Sequence, residues 1–291
     1  MATEREIDEA TNTETTGHEW DGIKELDTPM PRWWLWTFYA TIIWGVLYTI
    51  AYPAWPLVSS ATSGLLGYSS RGEFAQDMDA AREAQAPLDE RLLGVELASV
   101  ADDEELLRYA TAGGRAVFLS HCSQCHGAGG GGRPGGYPNL LDDAWLWGGS
   151  VDQIHQTIQH GIRWDDDPDT HFSQMPAYGE ILSEEEIDGL VQYVIGLSGR
   201  EHDTELAASA AQNFADNCAA CHGEEGMGMV ELGAPNLTDS IWLYGGDEAA
   251  LYETIYNARY GVMPSFSLDG RLSDADIAKA AVYVHSLGGG Q

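Results

Sequence analysis

The sequence predicts an all-α chain: one N-terminal transmembrane helix, then two tandem copies of a small helical domain. Three observations predict it. The stretch from Trp33 to Ser70 contains no charged residue. A pattern with a period of about 96 residues, the interval from Cys122 to Cys218, occurs twice. Each copy closes on a capped amphipathic helix.

Residues 1–32 are polar and acid-rich, with no evident signal peptide. Residues 33–58 (WWLWTFYATIIWGVLYTIAYPAWPLV) are almost wholly apolar, and about 20 such residues cross a bilayer core as a helix. Six of the ten Trp lie at or before Trp55. Trp33, Trp34 and Trp36 at one end, and Tyr52 and Trp55 at the other, form the belts expected at the headgroups. Pro53 and Pro56 remove amide donors and end the helix. The length and the belts argue against a buried core helix. The late start and lack of a basic leader argue against a cleaved signal, so an uncleaved anchor is expected. Arg5, Lys24 and Arg32 precede it and no base follows until Arg71. This asymmetry places the N-terminus in the cytoplasm and the rest outside. With no ionisable group in the span, the helix offers no proton relay.

Residues 59–103 read as a connector, first small and Gly-rich, then charged and Ala-rich with some helix, while Pro87 and the scattered acids give no strong core pattern. Residues 104–200 and 201–291 are the two repeats. Phe118 stands before Cys122 as Phe214 stands before Cys218. Pro138-Asn139-Leu140 and Trp145-Leu146-Trp147-Gly148-Gly149 recur as Pro235-Asn236-Leu237 and Trp242-Leu243-Tyr244-Gly245-Gly246. Each copy then has a helical stretch, a Met-Pro pair (Met175-Pro176, Met263-Pro264) and a final helix starting at Ser183 or Ser273. Glu186 completes a capping box, and Asp276 is an imperfect equivalent. Ile187, Leu190, Val191 and Val194, and Ile277, Ala280, Ala281 and Val284, recur at helical spacing.

Both repeats carry Cys-x-x-Cys-His: Cys122, Cys125, His126 and Cys218, Cys221, His222. This pattern marks covalent haem attachment. The thiols add to the two porphyrin vinyl groups, and the adjacent His ligates the iron from below. Two haems c leave no thiol for a disulfide. A zinc site would require the two cysteine pairs to converge from distant positions and would leave both His idle. Met175 and Met263 are the candidate sixth ligands, because a neutral thioether favours ferrous iron and the following Pro fixes the loop. Met227 and Met229 follow His222 too closely to reach the opposite face. His171 is a rival to Met175 at the first haem, and the other surplus His are expected at the surface. Gly129–Gly132 lacks the Lys-Ser/Thr of a phosphate loop. Six-coordinate iron has no open substrate site, so the function reduces to one-electron exchange. Such small domains should fold poorly without haem.

The formal charge is −32, from 46 acidic and 14 basic side chains. Such a surface excludes nucleic-acid binding. It fits either a saline medium or steering of a basic electron donor.

The chain resembles the di-haem subunit (subunit III) of cbb3-type cytochrome c oxidases. The resemblance rests on Gly17-His18-Glu19-Trp20-Asp21-Gly22-Ile23, Leu26-Asp27-Thr28-Pro29-Met30-Pro31, the anchor and both repeats. It implies two class I cytochrome c domains, with His126 and Met175 as axial ligands of one haem and His222 and Met263 of the other. It implies that the carbonyls of Pro138 and Pro235 orient the two imidazoles. It implies a non-catalytic relay in the bacterial inner membrane, with the haem domains in the periplasm. Electrons would come from a soluble or membrane-bound cytochrome c. They would pass through a mono-haem cytochrome c subunit to a haem-copper catalytic subunit that reduces oxygen and pumps protons. Residues 164–171 (WDDDPDTH) are the least constrained by the family. Two alternatives remain: a di-haem peroxidase, which needs an exchangeable distal site, and a stand-alone membrane cytochrome serving another complex.

Overall fold

A computed structural model describes residues 5–289. It comprises two compact units, the first running to Glu83 and the second from Ala84. The division falls within helix α2 (Ser70–Leu93).

In the first unit a small antiparallel sheet precedes the apolar helix. Its strands β1 (Ile7–Asp8), β2 (Thr13–Trp20) and β3 (Ile23–Leu26) lie in sequence order. Asp21 and Gly22 connect β2 to β3 with φ of 51° and 85°. Two positive φ values are what a twisted two-residue hairpin needs, and Asp-Gly supplies them readily. The sheet is an addition to the all-α expectation.

Helix α1 (Arg32–Ala51) has 20 residues and, among the described residues, buries none of its side chains. Its length, about 30 Å at 1.5 Å per residue, matches a bilayer core, and it is the one candidate membrane span among the described residues. The helix stops at Ala51, short of the expected Val58. Pro53 cannot continue it, and residues beyond fold back on its end. The amides of Leu65 and Leu66 reach the carbonyls of Ile50 and Ala51, each at 3.0 Å, capping acceptors that the helix leaves unpaired.

The second unit is helical: α3 (Glu104–His121), α4 (Ser123–His126), α5 (Val151–His160), α6 (Glu184–Leu197), α7 (Thr204–Asn217), α8 (Ala219–His222), α9 (Glu248–Asn257) and α10 (Asp274–His285). The expected capping box at Ser183 and Glu186 is present. At Ser273 the hydroxyl accepts from the Asp276 amide and donates to its carboxylate, and the box is not completed by a bond to the Ser273 amide.

The packing does not follow the repeat boundary. Helix α10, which closes the second repeat, packs on α3 and α5 of the first; α6, which closes the first, packs on α7 and α9 of the second. One core joins Leu106, Phe118, Val151 and Ile154 to Phe266, Ile277 and Ala281. The other joins Ile187, Leu190 and Val194 to Phe214, Leu237 and Leu251. The contiguous pairing expected from the repeat, α3 with α6 and α7 with α10, is thus exchanged. The cause is the short connection from Leu197 to Thr204, since helices joined so tightly become antiparallel neighbours. Because the repeats present similar apolar faces, α3 accepts α10 in place of α6.

The exchanged contacts are close. A Cβ on Gly114 would lie 2.0 Å from the Lys279 carbonyl oxygen, so only glycine allows α3 and α10 to cross there. Lys279 itself is 4% exposed. It is paired with Asp89 at 2.7 Å and lies over the Tyr109 ring.

Candidate metal centre

Each Cys-x-x-Cys-His segment is one helical turn attached to the end of a longer helix. Cys122 ends α3 with its amide bonded to the Phe118 carbonyl, and the His126 amide returns to the Cys122 carbonyl at 2.9 Å. Cys218, Phe214 and His222 repeat this arrangement, with distances of 2.8 and 2.9 Å. Phe118 and Phe214 are fully buried and fix the turns to the two cores.

After each His the chain doubles back. The Gly132 amide bonds to the His126 carbonyl and the Gly228 amide to the His222 carbonyl. At Gly132 φ is 70°, and a Cβ would meet the Tyr137 carbonyl oxygen at 2.6 Å. Glycine is therefore required for the loop to bring Pro138 beside His126. There the Pro138 carbonyl accepts from His126 Nδ1 at 3.2 Å, and the Pro235 carbonyl accepts from His222 Nδ1 at 3.1 Å. These bonds fix the tautomer and leave Nε2 of each ring as the free ligand atom. Burial holds both imidazoles below the ordinary His value, partly offset by the proline carbonyls. Both are therefore neutral at pH 7, as metal ligation requires.

All four cysteines are unbridged. Burial, with a smaller contribution from the neighbouring cysteine, pushes the Cys122 and Cys218 thiols up to about 11. Such thiols carry little thiolate, which disfavours both a redox dithiol and a zinc site.

The methionines follow the exchanged helices. Met263 packs against the core containing Phe118 and Cys122, and Met175 against the core bordered by Cys218 and containing Phe214. Met263 thus lies with Cys122, and Met175 with Cys218, whereas the resemblance sets Met175 with the first motif and Met263 with the second. Backbone bonds hold Met263 to Ile162 in both directions, at 2.9 and 3.0 Å. Near Met175, the Tyr178 hydroxyl donates to the Asn217 carbonyl at 2.6 Å. Tyr178 and Phe266, each three residues beyond its methionine, anchor these loops in the cores. Sequence reasoning missed both, although their matched positions were visible.

Met227 is 61% exposed, and Met229 is also exposed. His171, the rival to Met175, is half-buried, and its ring stacks on Trp147 at 4.5 Å. Three buried nitrogens, Trp147 Nε1, His171 Nε2 and one Arg200 guanidinium nitrogen, have no hydrogen-bond partner among the described residues. Unpaired buried donors are costly. Those of Trp147 and Arg200 suit carboxylates, which haem carries on its propionates. Donor set, fixed tautomers and unsatisfied donors together fit haem c.

The family described as "Cytochrome C oxidase, cbb3-type, subunit III" matches residues 110–194 and 205–284. The "N-terminal domain of cytochrome oxidase-cbb3, FixP" matches residues 12–59. The chain is 54% identical to the Cbb3-type cytochrome c oxidase subunit CcoP of Cereibacter sphaeroides, over 95% of each. It is 53% identical to subunit FixP of Azorhizobium caulinodans, over 98% of this chain and 96% of that one. With subunit FixPc of Rhizobium leguminosarum bv. viciae the identity is 48% over 99% of each.

Proposed function

Because the chain belongs to the cbb3-type cytochrome c oxidase subunit III family, we propose that it carries two haems c and relays single electrons toward the catalytic subunit of its oxidase. One observation carries this reading: two matched Cys-x-x-Cys-His turns, each with its imidazole tied to a proline carbonyl and a methionine in the same core. When bound, haem supplies a one-electron ferric–ferrous couple. The protein supplies everything that tunes it.

Cys122 and Cys125 hold one haem and Cys218 and Cys221 the other. His126 and His222 would ligate the iron through Nε2, the tautomer that the Pro138 and Pro235 carbonyls hold. Met263 completes the first site and Met175 the second, each contributed by the other repeat. Thioether sulfur favours the ferrous state. A haem held by His and Met at each site would have no place for peroxide, so the chain would be non-catalytic by itself.

The anchor holds this relay in the inner membrane with the N-terminus in the cytoplasm and the haem domains in the periplasm. A soluble or membrane-bound cytochrome c is the donor. A mono-haem cytochrome c subunit passes the electrons on to the haem-copper subunit.

A pyridine-haemochrome assay with intact-mass analysis on membrane-purified protein tests the cofactor content. Two thioether-linked haems per chain are expected. A single haem, or a high-spin ferric haem that turns over peroxide, would reject the relay.

A further inference from the structure

Residues 164–171 have no counterpart in the second repeat, yet they contain a buried carboxylate. Asp167 is 4% exposed. Its turn is held by the Asp167 amide on the Trp164 carbonyl at 3.1 Å and the Thr170 amide on the Asp167 carbonyl at 3.2 Å. The Asp169 amide donates to its carboxylate at 2.9 Å, and His160 Nδ1 lies 3.2 Å from both carboxylate oxygens.

The remaining partner comes from the other repeat. Ser265, 1% exposed, is two residues beyond Met263. Its hydroxyl lies 2.8 Å from the Asp167 carboxylate and 2.7 Å from the Gln159 carbonyl. The Phe266 and Ser267 amides bond the carbonyls of Ile158 and Gln159, so this turn lies along the end of α5.

We propose that Asp167 is a positioning residue for Met263: its buried carboxylate latches Ser265 to the end of α5 and so fixes the turn that presents the sulfur to the haem at Cys122 and Cys125. This rests on reading Met263 as that haem's axial ligand. A neutral thioether holds ferric iron weakly, so retention of the sulfur depends on how firmly its backbone is held. The Ile162–Met263 pairing secures one side of the turn and the Asp167–Ser265 bond secures the other. Among the described residues no carboxylate is bonded to the Met175 turn, which Tyr178 and Asn217 tie down. The latch therefore acts on one haem of two, and the second haem is an internal control.

The test is an imidazole titration of the ferric holoprotein, with both haems followed by absorbance and by potentiometry. Asp167→Ala and Ser265→Ala should each raise imidazole affinity at one haem about tenfold, the equivalent of one charge-assisted hydrogen bond. They should weaken that haem's sulfur-to-iron band and leave the other haem unchanged. Asp167→Asn keeps an acceptor for Ser265 and should restore most of the wild-type behaviour. If Asp167→Ala does not fold, Ser265→Ala, which deletes one oxygen, carries the test. Wild-type affinities in the folded variants, or equal changes at both haems, would overturn the latch. Met263→Leu is the control for the premise. If it removes neither sulfur band, the ligation reading fails; if it removes one while the latch variants are silent, only the latch fails.

Discussion

Gly114→Ala probes the exchange of helices most sharply. The added methyl would lie 2.0 Å from the Lys279 carbonyl oxygen, 2.6 Å from its carbon and 2.7 Å from Tyr283 Cβ. Carbon and oxygen normally approach to about 3.3 Å, so α3 and α10 must part by about 1 Å. None of these three atoms is the free end of a flexible side chain. Overpacking of this kind costs about 3 kcal/mol, and the better helix propensity of Ala returns about 1 kcal/mol. The net loss is about 2 kcal/mol. Gly189→Ala, on α6, is the matched control. Its methyl would meet Ala210 Cβ at 3.1 Å and the Leu206 carbonyl oxygen at 3.4 Å. A shift of a few tenths of an ångström relieves that, and the propensity gain leaves it near neutral. Guanidinium unfolding of detergent-solubilised holoprotein, followed at the haem bands, reads both. Gly114→Ala should lower the midpoint and disturb the sulfur-to-iron band of the haem at Cys122 and Cys125, whose core contains both α3 and α10. Equal stability of the two variants, or a disturbance confined to the haem at Cys218 and Cys221, would refute the exchanged packing.

Lys279 gives a pH signature. Burial works against its charge, but hydrogen bonds with Asp89 and Tyr109 outweigh this and hold the ammonium above its ordinary value. The stabilisation is full below about pH 10.4 and is lost as the pH rises through the raised native value. Unfolding midpoints between neutral and strongly alkaline pH should fall more for the wild type than for Lys279→Met, and parallel curves would exclude the pairing. Asp89→Ala leaves the ammonium only the longer pair with Asp276 at 3.6 Å and should cost about 2 kcal/mol by denaturant unfolding. If the charge of −32 steers a basic cytochrome, stopped-flow association should slow steeply with added salt; a flat response leaves salinity as the explanation for the acids. If the N-terminus is inside, as proposed, Thr11→Cys should react with a membrane-impermeant thiol reagent only after the inner membrane is opened, and labelling of intact spheroplasts would reverse the orientation.

The local parts of the site were legible in the sequence because local chemistry determines them. A Cys-x-x-Cys-His turn needs only its own backbone, and the Pro138 and Pro235 carbonyls arrive through short glycine-hinged loops. Ser183 and Glu186 cap α6 within a single turn. What was not legible was the partner of each closing helix. Ile187, Leu190 and Val194 form a stripe that either opening helix can accept, as do Ile277, Ala281 and Val284. Hydrophobic pattern alone cannot choose between them. The signal was the brevity of residues 198–203, which forces α6 against α7. The contact of Asp167 with Ser265 was hidden for the same reason, since the two are 98 residues apart. The β2–β3 hairpin did have a local sign, Asp21-Gly22 between alternating residues, which the dominant helical pattern obscured.

The crossed ligation can be read in a single-haem form. With Cys218 and Cys221 both replaced by Ala, the chain keeps only the haem at Cys122 and Cys125. In that background Met263→Leu should abolish the sulfur-to-iron absorption band and lower the potential, while Met175→Leu should leave both intact. The opposite outcome, loss of the band on replacing Met175 alone, would contradict the account.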